Sequence, residues 1–262
     1  MTPISIPRWF IAGAMAVATA LSAPSAASAA DIGVASSGGF AEAYKAVKPA
    51  YERKSGNTLT IAFGPSMGDT PNTIPSRLKR GEPIDVVLMV DSAVDGLIKD
   101  GLVDPASKTV LAKSIIGMAV KSGAPKPDIS SLEALKRTLL EAKSIAYSDS
   151  ASGVYLQNVL FPKLGIWEQI RSKCYMSPAD PVGGVVARGA AEIGFQQMSE
   201  LKPIAGIDIV APLPEGAQLV TPYTAAIVSK SAQPREARAF IDYLLSPEAA
   251  ALIRETGLEP GK

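Results

Sequence analysis

Histidine is absent from this chain of 262 residues, and cysteine occurs once, at Cys174. Without an imidazole, Ser-His-Asp and Cys-His nucleophilic chemistry is excluded, and the commonest metal ligand is missing. A single cysteine allows no intrachain disulfide, and Cys174 reads as a small packed residue in a short strand. An excess of either charge is lacking too. The chain holds 26 Lys+Arg against 25 Asp+Glu, and loss of Arg8 with an N-terminal leader leaves 25 of each. That balance argues against nucleic acid or an anionic membrane surface as a partner. Phosphate-loop and dinucleotide fingerprints are missing, as is a dense loop of oxygen ligands. No catalytic residue, metal site or cofactor is therefore assigned, and the protein is not expected to be an enzyme.

What is present starts with a leader. Arg8 is the only charge among the first thirty residues, the apolar run Trp9 to Leu21 follows it, and a Ser/Ala-rich stretch closes the segment. That order marks a secretory signal, with cleavage near Ala29/Ala30 and the mature protein outside the cytoplasm. The run is shorter than the about 20 residues that a membrane-spanning helix needs. Residues 1–30 are read as the signal peptide.

From Asp31 the chain alternates short apolar strands with helices, and 47% hydrophobic residues suffice for a large core. Ala43, Val47, Ala50 and Tyr51 fall on one face of a helix over residues 40–54. Residues 84–90 are apolar apart from Asp85, and the run Val86 to Val90 is unbroken, as a strand buried on both faces requires. Repeated strand–helix units predict an α/β fold with a largely parallel sheet. No flexible linker divides the chain, and two lobes without one are usually joined by more than one crossing. The first lobe is read as residues 31–113 plus 222–262 and the second as 114–221, with crossings near 114–121 and 218–226.

Four junctions place a hydroxyl or glycine where a strand meets a helix: Ser36-Ser37-Gly38-Gly39, Ser66-Met67-Gly68, Ser150-Ala151-Ser152-Gly153 and Pro181-Val182-Gly183-Gly184. Helix starts at the carboxyl ends of strands offer free N–H groups and a partial positive charge. With serine hydroxyls added, such starts can hold an anion without a basic side chain or metal.

Several segments, in order, carry a family resemblance. They are Ala35-Ser36-Ser37, Phe63 to Ser66, Arg80-Gly81-Glu82-Pro83-Ile84-Asp85-Val86, Ser152-Gly153-Val154-Tyr155, Lys163-Leu164-Gly165-Ile166-Trp167, Pro181-Val182, Ala191-Glu192-Ile193-Gly194-Phe195 and Phe240-Ile241-Asp242-Tyr243-Leu244. From Asp31 to Lys262 the chain resembles the molybdate-binding family of periplasmic solute-binding proteins. The resemblance implies two doubly wound α/β lobes around a ligand cleft, the type II periplasmic binding fold. It implies a monomer that captures a small anion and presents it to an ABC permease in the inner membrane with its cytoplasmic ATPase. Ligand contacts are implied at Ser37 with Gly38, at Ser66 with Met67, at Ser152 with Gly153, and at the Val182 amide. The family's tyrosine position falls near Gln197, and Tyr155 is a candidate wall of the site.

Two departures leave the ligand open. Gln197 stands where the pattern has a tyrosine, and the loop from Met67 to Pro75 is longer than the pattern. A molybdate-, tungstate- or sulfate-like oxyanion is one reading. A di- or tricarboxylate or a phosphorylated acid is another, with Arg77, Arg80 and Arg188 available to a carboxylate. A third is a secreted hydrolase built on Ser199-Glu200-Leu201-Lys202, which has S-x-x-K spacing but no partner motif. Asp180 and Glu192 could serve acid–base chemistry, though no spacing unites them.

Overall fold

A computed structural model describes Met1 and residues 29–68, 70–177 and 180–261. The predicted signal, apart from Met1 and residues 29–30, lies outside the described residues. Two sheets organise the chain, each with its own apolar core.

The first sheet has the order β11-β4-β10-β3-β1-β2. Its strands are β1 (Asp31–Ser36), β2 (Thr58–Phe63), β3 (Val86–Val90), β4 (Thr109–Ser114), β10 (Thr221–Ile227) and β11 (Glu259–Pro260). The second has the order β7-β6-β8-β5-β9, built from β5 (Ile116–Lys121), β6 (Ile145–Ser148), β7 (Cys174–Ser177), β8 (Ile193–Gln197) and β9 (Ile207–Pro212). One residue, Ile115, separates β4 in the first sheet from β5 in the second, and the chain returns between β9 and β10. The lobes are thus tied by two crossings that lie far apart in sequence.

Helices cover the first sheet: α1 (Gly38–Ser55), α2 (Ile74–Lys79), α3 (Asp91–Lys99) and, from the end of the chain, α10 (Pro234–Leu244) and α11 (Pro247–Glu255). The second lobe holds α4 (Leu132–Glu141), α5 (Ala151–Tyr155), α6 (Phe161–Lys163), α7 (Trp167–Ile170), α8 (Val182–Ala187) and α9 (Met198–Leu201). A wider π turn, Leu156–Leu160, joins α5 to α6. Phe40, Ala43, Tyr44, Val47, Ala50 and Tyr51 form the buried face of α1, as the helical spacing requires. Gly56 then ends the helix at φ 75°, a left-handed conformation that glycine adopts without a Cβ clash.

The sheets are mixed, which corrects the expectation of a largely parallel sheet. β1 pairs in parallel with β2 and β3, and β6 with β7 and β8. β10 runs antiparallel between β3 and β4, and β5 antiparallel between β8 and β9. β5 and β10 each follow a crossing between lobes. Their direction is set by where the chain enters the sheet, not by a strand–helix–strand unit.

Asp85 explains the Gly-x-Pro-x-Asp-Val piece. Its buried carboxylate accepts from the Gly33 amide at 2.8 Å, the Ser231 hydroxyl at 2.6 Å and the Ala232 and Gln233 amides at 3.0 and 3.2 Å. It pins β1 to the loop that enters α10, away from the cleft.

Candidate functional site

Two adjoining cavities open between the lobes, of about 400 and 530 Å³. They share Gly38, Pro65, Asp149, Ser150 and Glu200 in their walls. The smaller one is lined from the first lobe by Ser37, Ser66, Met67 and Tyr223, and from the second by Ser150 and Gln197.

The start of α1 forms one wall. The Ser37 amide donates to Leu88 O, and Phe40 N donates to Ser37 O. The Gly38 and Gly39 amides, in the first turn, have no partner within the helix. Ser37 is 5% exposed, and its Oγ has no hydrogen-bond partner. Its O–H is therefore free to donate to an anion at the helix's positive end. Ser66 Oγ accepts from the Val90 amide at 3.2 Å, which leaves its own proton for the cavity. Gln197, 2% exposed, donates from Nε2 to Thr221 Oγ1 at 3.1 Å, while its Oε1 has no partner. Because a threonine hydroxyl can donate as well as accept, turning this amide over would hand Nε2 to the cavity.

Ser37, Gly38, Ser66, Met67 and Gln197 are thus brought together. Ser152, Gly153, Val182 and Tyr155 line neither cavity. Ser152 is fully buried, 3.3 Å from Ser148 Oγ. Gly153 sits so close to Ser148 O that a Cβ could not fit. The Val182 amide is taken up by Gln196 Oε1 at 3.0 Å. Tyr155 donates to Ala217 O at 3.1 Å and packs on the second core. In the second lobe, Asp149, Ser150 and Ala151 face the smaller cavity instead.

The arginines are engaged elsewhere. Arg77 and Arg80 both pair with Glu82, and Arg188 pairs with Asp180 at 2.7 Å. Among the described residues, no lysine or arginine lines either cavity. The S-x-x-K reading also separates: Ser199 donates to Gly39 O across the lobes at 2.8 Å, whereas Lys202 reaches Glu255 O. Asp180 and Glu192 have different partners, Arg188 and the Lys143 amide.

Sequence reasoning missed Glu200. It follows Ser199 in α9, and its carboxylate lies against the start of α1. A Cβ placed on Gly38 would be 2.7 Å from Glu200 Oε1. Burial pushes its carboxyl up to about 7, opposed by a hydrogen bond from Gln196. Burial and the neighbouring Glu200 carboxylate push the Tyr223 phenol far above its usual range, so it stays protonated. No motif announces Glu200. Only the crossing of the lobes brings it to the cleft.

Two α/β lobes, doubly connected, with helix starts and neutral donors facing a shared cleft, define the type II periplasmic binding fold. The chain belongs to the bacterial extracellular solute-binding protein family, whose sequence pattern matches residues 32–259. It is 55% identical over 227 residues to an aconitate isomerase of a Pseudomonas species, covering 87% of each chain. It is 26% identical over 215 residues to the molybdate-binding protein ModA of Escherichia coli, covering 79% of this chain and 80% of that one. Among solved structures, PEB3 of Campylobacter jejuni bound to L-phospholactate matches with a TM-score of 0.67 at 17% identity. That match covers 87% of this chain and 99% of the other. The isomerase relative overturns the expectation that the protein is not an enzyme. A chain this similar across both lobes carries an enzyme's name, so absence of histidine and of catalytic motifs did not exclude catalysis.

Proposed function

We propose that the cleft binds a small tricarboxylate of the aconitate type and interconverts its cis and trans isomers. The observation that carries this reading is the 55% identity to the aconitate isomerase, spread over 227 residues and so over both lobes. Cavity size supports it. Small organic ligands occupy sites of about 300–1,000 Å³, and about 400 Å³ is far more than a four-oxygen ion fills. The PEB3 complex provides a precedent for an organic acid in this fold. Ser37, Ser66 and the amides of Gly38 and Gly39 would hold one carboxylate, with Ser150 and Gln197 facing another from the second lobe.

The chemistry needs no metal or cofactor. Aconitate has a methylene and a vinylic CH on either side of one carbon. Moving a proton from the first to the second shifts the double bond and regenerates the same constitution, with new geometry at the new double bond. The test is incubation of the mature protein with cis-aconitate, followed by proton NMR. Appearance of trans-aconitate at a rate proportional to protein supports the reading, and its absence rejects it.

A second reading rests on the neutral donor set of the cleft, which suits a molybdate- or sulfate-like oxyanion. Here the protein would hand its ligand to an ABC permease with a cytoplasmic ATPase. Calorimetric titration with molybdate and sulfate separates the two readings. Both place the working protein outside the cytoplasm, as the family and the leader pattern support. A single chain supplies both walls of the cleft, which favours a monomer.

A further inference from the structure

Resting on the isomerase reading, we infer that the Glu200 carboxylate is the one group that takes the proton from the methylene carbon of the substrate and returns it to the former vinylic carbon. Position supports this first. Glu200 stands in the wall that both cavities share, at the start of α1, where the free amides and the Ser37 hydroxyl would seat a carboxylate. A substrate anchored there presents its neighbouring carbon to Glu200.

Among the described residues, the other acids around the cleft have other partners or surroundings. Glu42 pairs with Lys45, and Asp180 with Arg188. Asp149 is exposed. Tyr223 keeps its proton. Gln196 orients Glu200: its Oε1 accepts from the Val182 amide, which turns its NH₂ group to the carboxylate. Burial raises the Glu200 carboxyl to about 7, where one group serves as base and then as acid with little bias.

In the step, Glu200 removes a methylene proton as the C–H bond breaks. The electron pair spreads over the three-carbon unit and its carboxylates. The protonated Glu200 then delivers the same proton to the other end. The double bond has moved by one position, and no oxidant, reductant or water is consumed.

The experiment compares wild type, Glu200→Gln and Glu200→Asp by proton NMR of aconitate, in H₂O and D₂O, with calorimetric affinity for aconitate. Acid–base groups of this kind contribute about 10²–10⁴-fold. Glu200→Gln should therefore lose at least a hundredfold in turnover while its affinity stays within a few-fold. Glu200→Asp should keep measurable turnover. The wild-type rate should bend near pH 7, and the product should carry less than one solvent deuterium. A glutamine variant within tenfold of wild type would overturn the role of Glu200 and leave the isomerase reading intact. Loss of turnover together with loss of affinity would also overturn it, assigning Glu200 to ligand holding. A wild type that binds aconitate without converting it would reject both.

Discussion

Ser199 Oγ, in the second lobe, donates to the carbonyl of Gly39, in the first, at 2.8 Å. Both atoms are buried between the lobes, one residue from the Glu200–Gly38 contact. The bond spans the lobes beside the place where the proposed chemistry occurs. Ligand binding shifts the open–closed balance only through contacts made better in the closed state. If the bond breaks when the lobes part, it adds to apparent affinity.

Ser199→Ala should remove about 0.5–1.5 kcal/mol of closure, the net contribution of a neutral hydrogen bond. Affinity for the ligand should fall by up to about tenfold, since 1.4 kcal/mol is tenfold. X-ray scattering should give a larger radius of gyration for the unliganded variant. Unchanged scattering and affinity would show that the bond does not govern closure.

Glu200 also sets a pH dependence of stability. Its carboxyl titrates near 4.5 in the unfolded chain and near 7 when folded. Between those values the native state holds more protons than the unfolded state, so stability falls as pH rises through this window. The contribution is fully present below about 4.5 and gone above about 7. Glu200→Gln removes this dependence. The variant should be more stable than wild type at pH 8 by about 1–3 kcal/mol, because a tenfold change in proton affinity on folding corresponds to about 1.4 kcal/mol. Near pH 4 the two should converge. Chemical denaturation at both pH values checks this, and equal differences at both would contradict it.

The element pattern was legible because buried faces leave periodic signatures. The α1 face and the apolar run into β3 are clear examples. Strand direction was not legible, because β5 and β10 take theirs from the crossings between lobes. The first-lobe side of the cleft was readable at Ser37, Gly38 and Ser66, where glycine and serine follow strand ends. On the second lobe the readable motif misleads. Ser152 and Gly153 face inward because a short helix presents only one side to the cleft, here Ala151 and Val154, with Asp149 and Ser150 just ahead of the helix. Glu200 left no trace, since its role depends on contact with Gly38 in the other lobe.

Asp85 offers a test of one segment of the family resemblance, Arg80 to Val86. Its carboxylate collects donors from Gly33, Ser231, Ala232 and Gln233. Asp85→Ala strands these groups at a site where the native residue is 6% exposed. Stability should fall by about 3 kcal/mol or more, as hydrogen bonds to a charged group contribute about 1.5–3 kcal/mol each. Ligand affinity measured well below the melting temperature should stay near wild type. A large affinity loss in a fully folded variant would assign Asp85 to the site.

The two serines Ser66 and Ser152 separate cleft contact from sequence resemblance. Each stands in a segment shared with the molybdate-binding family, and on sequence alone both should bind the ligand. Ser66 Oγ already accepts from Val90 N, and its free proton faces the cavity. Ser66→Ala should therefore weaken binding of an anionic ligand by about 1.5–3 kcal/mol, the range for hydrogen bonds to a charged acceptor. Ser152 Oγ instead lies 3.3 Å from Ser148 Oγ in a fully buried position outside both cavities. Ser152→Ala should cost stability of about 1 kcal/mol, as for a neutral hydrogen bond, and leave affinity within about twofold. Parallel calorimetric titrations and melting curves of the two variants decide it. Equal affinity losses would place Ser152 on the ligand and require a different arrangement of the α5 start in the liganded state.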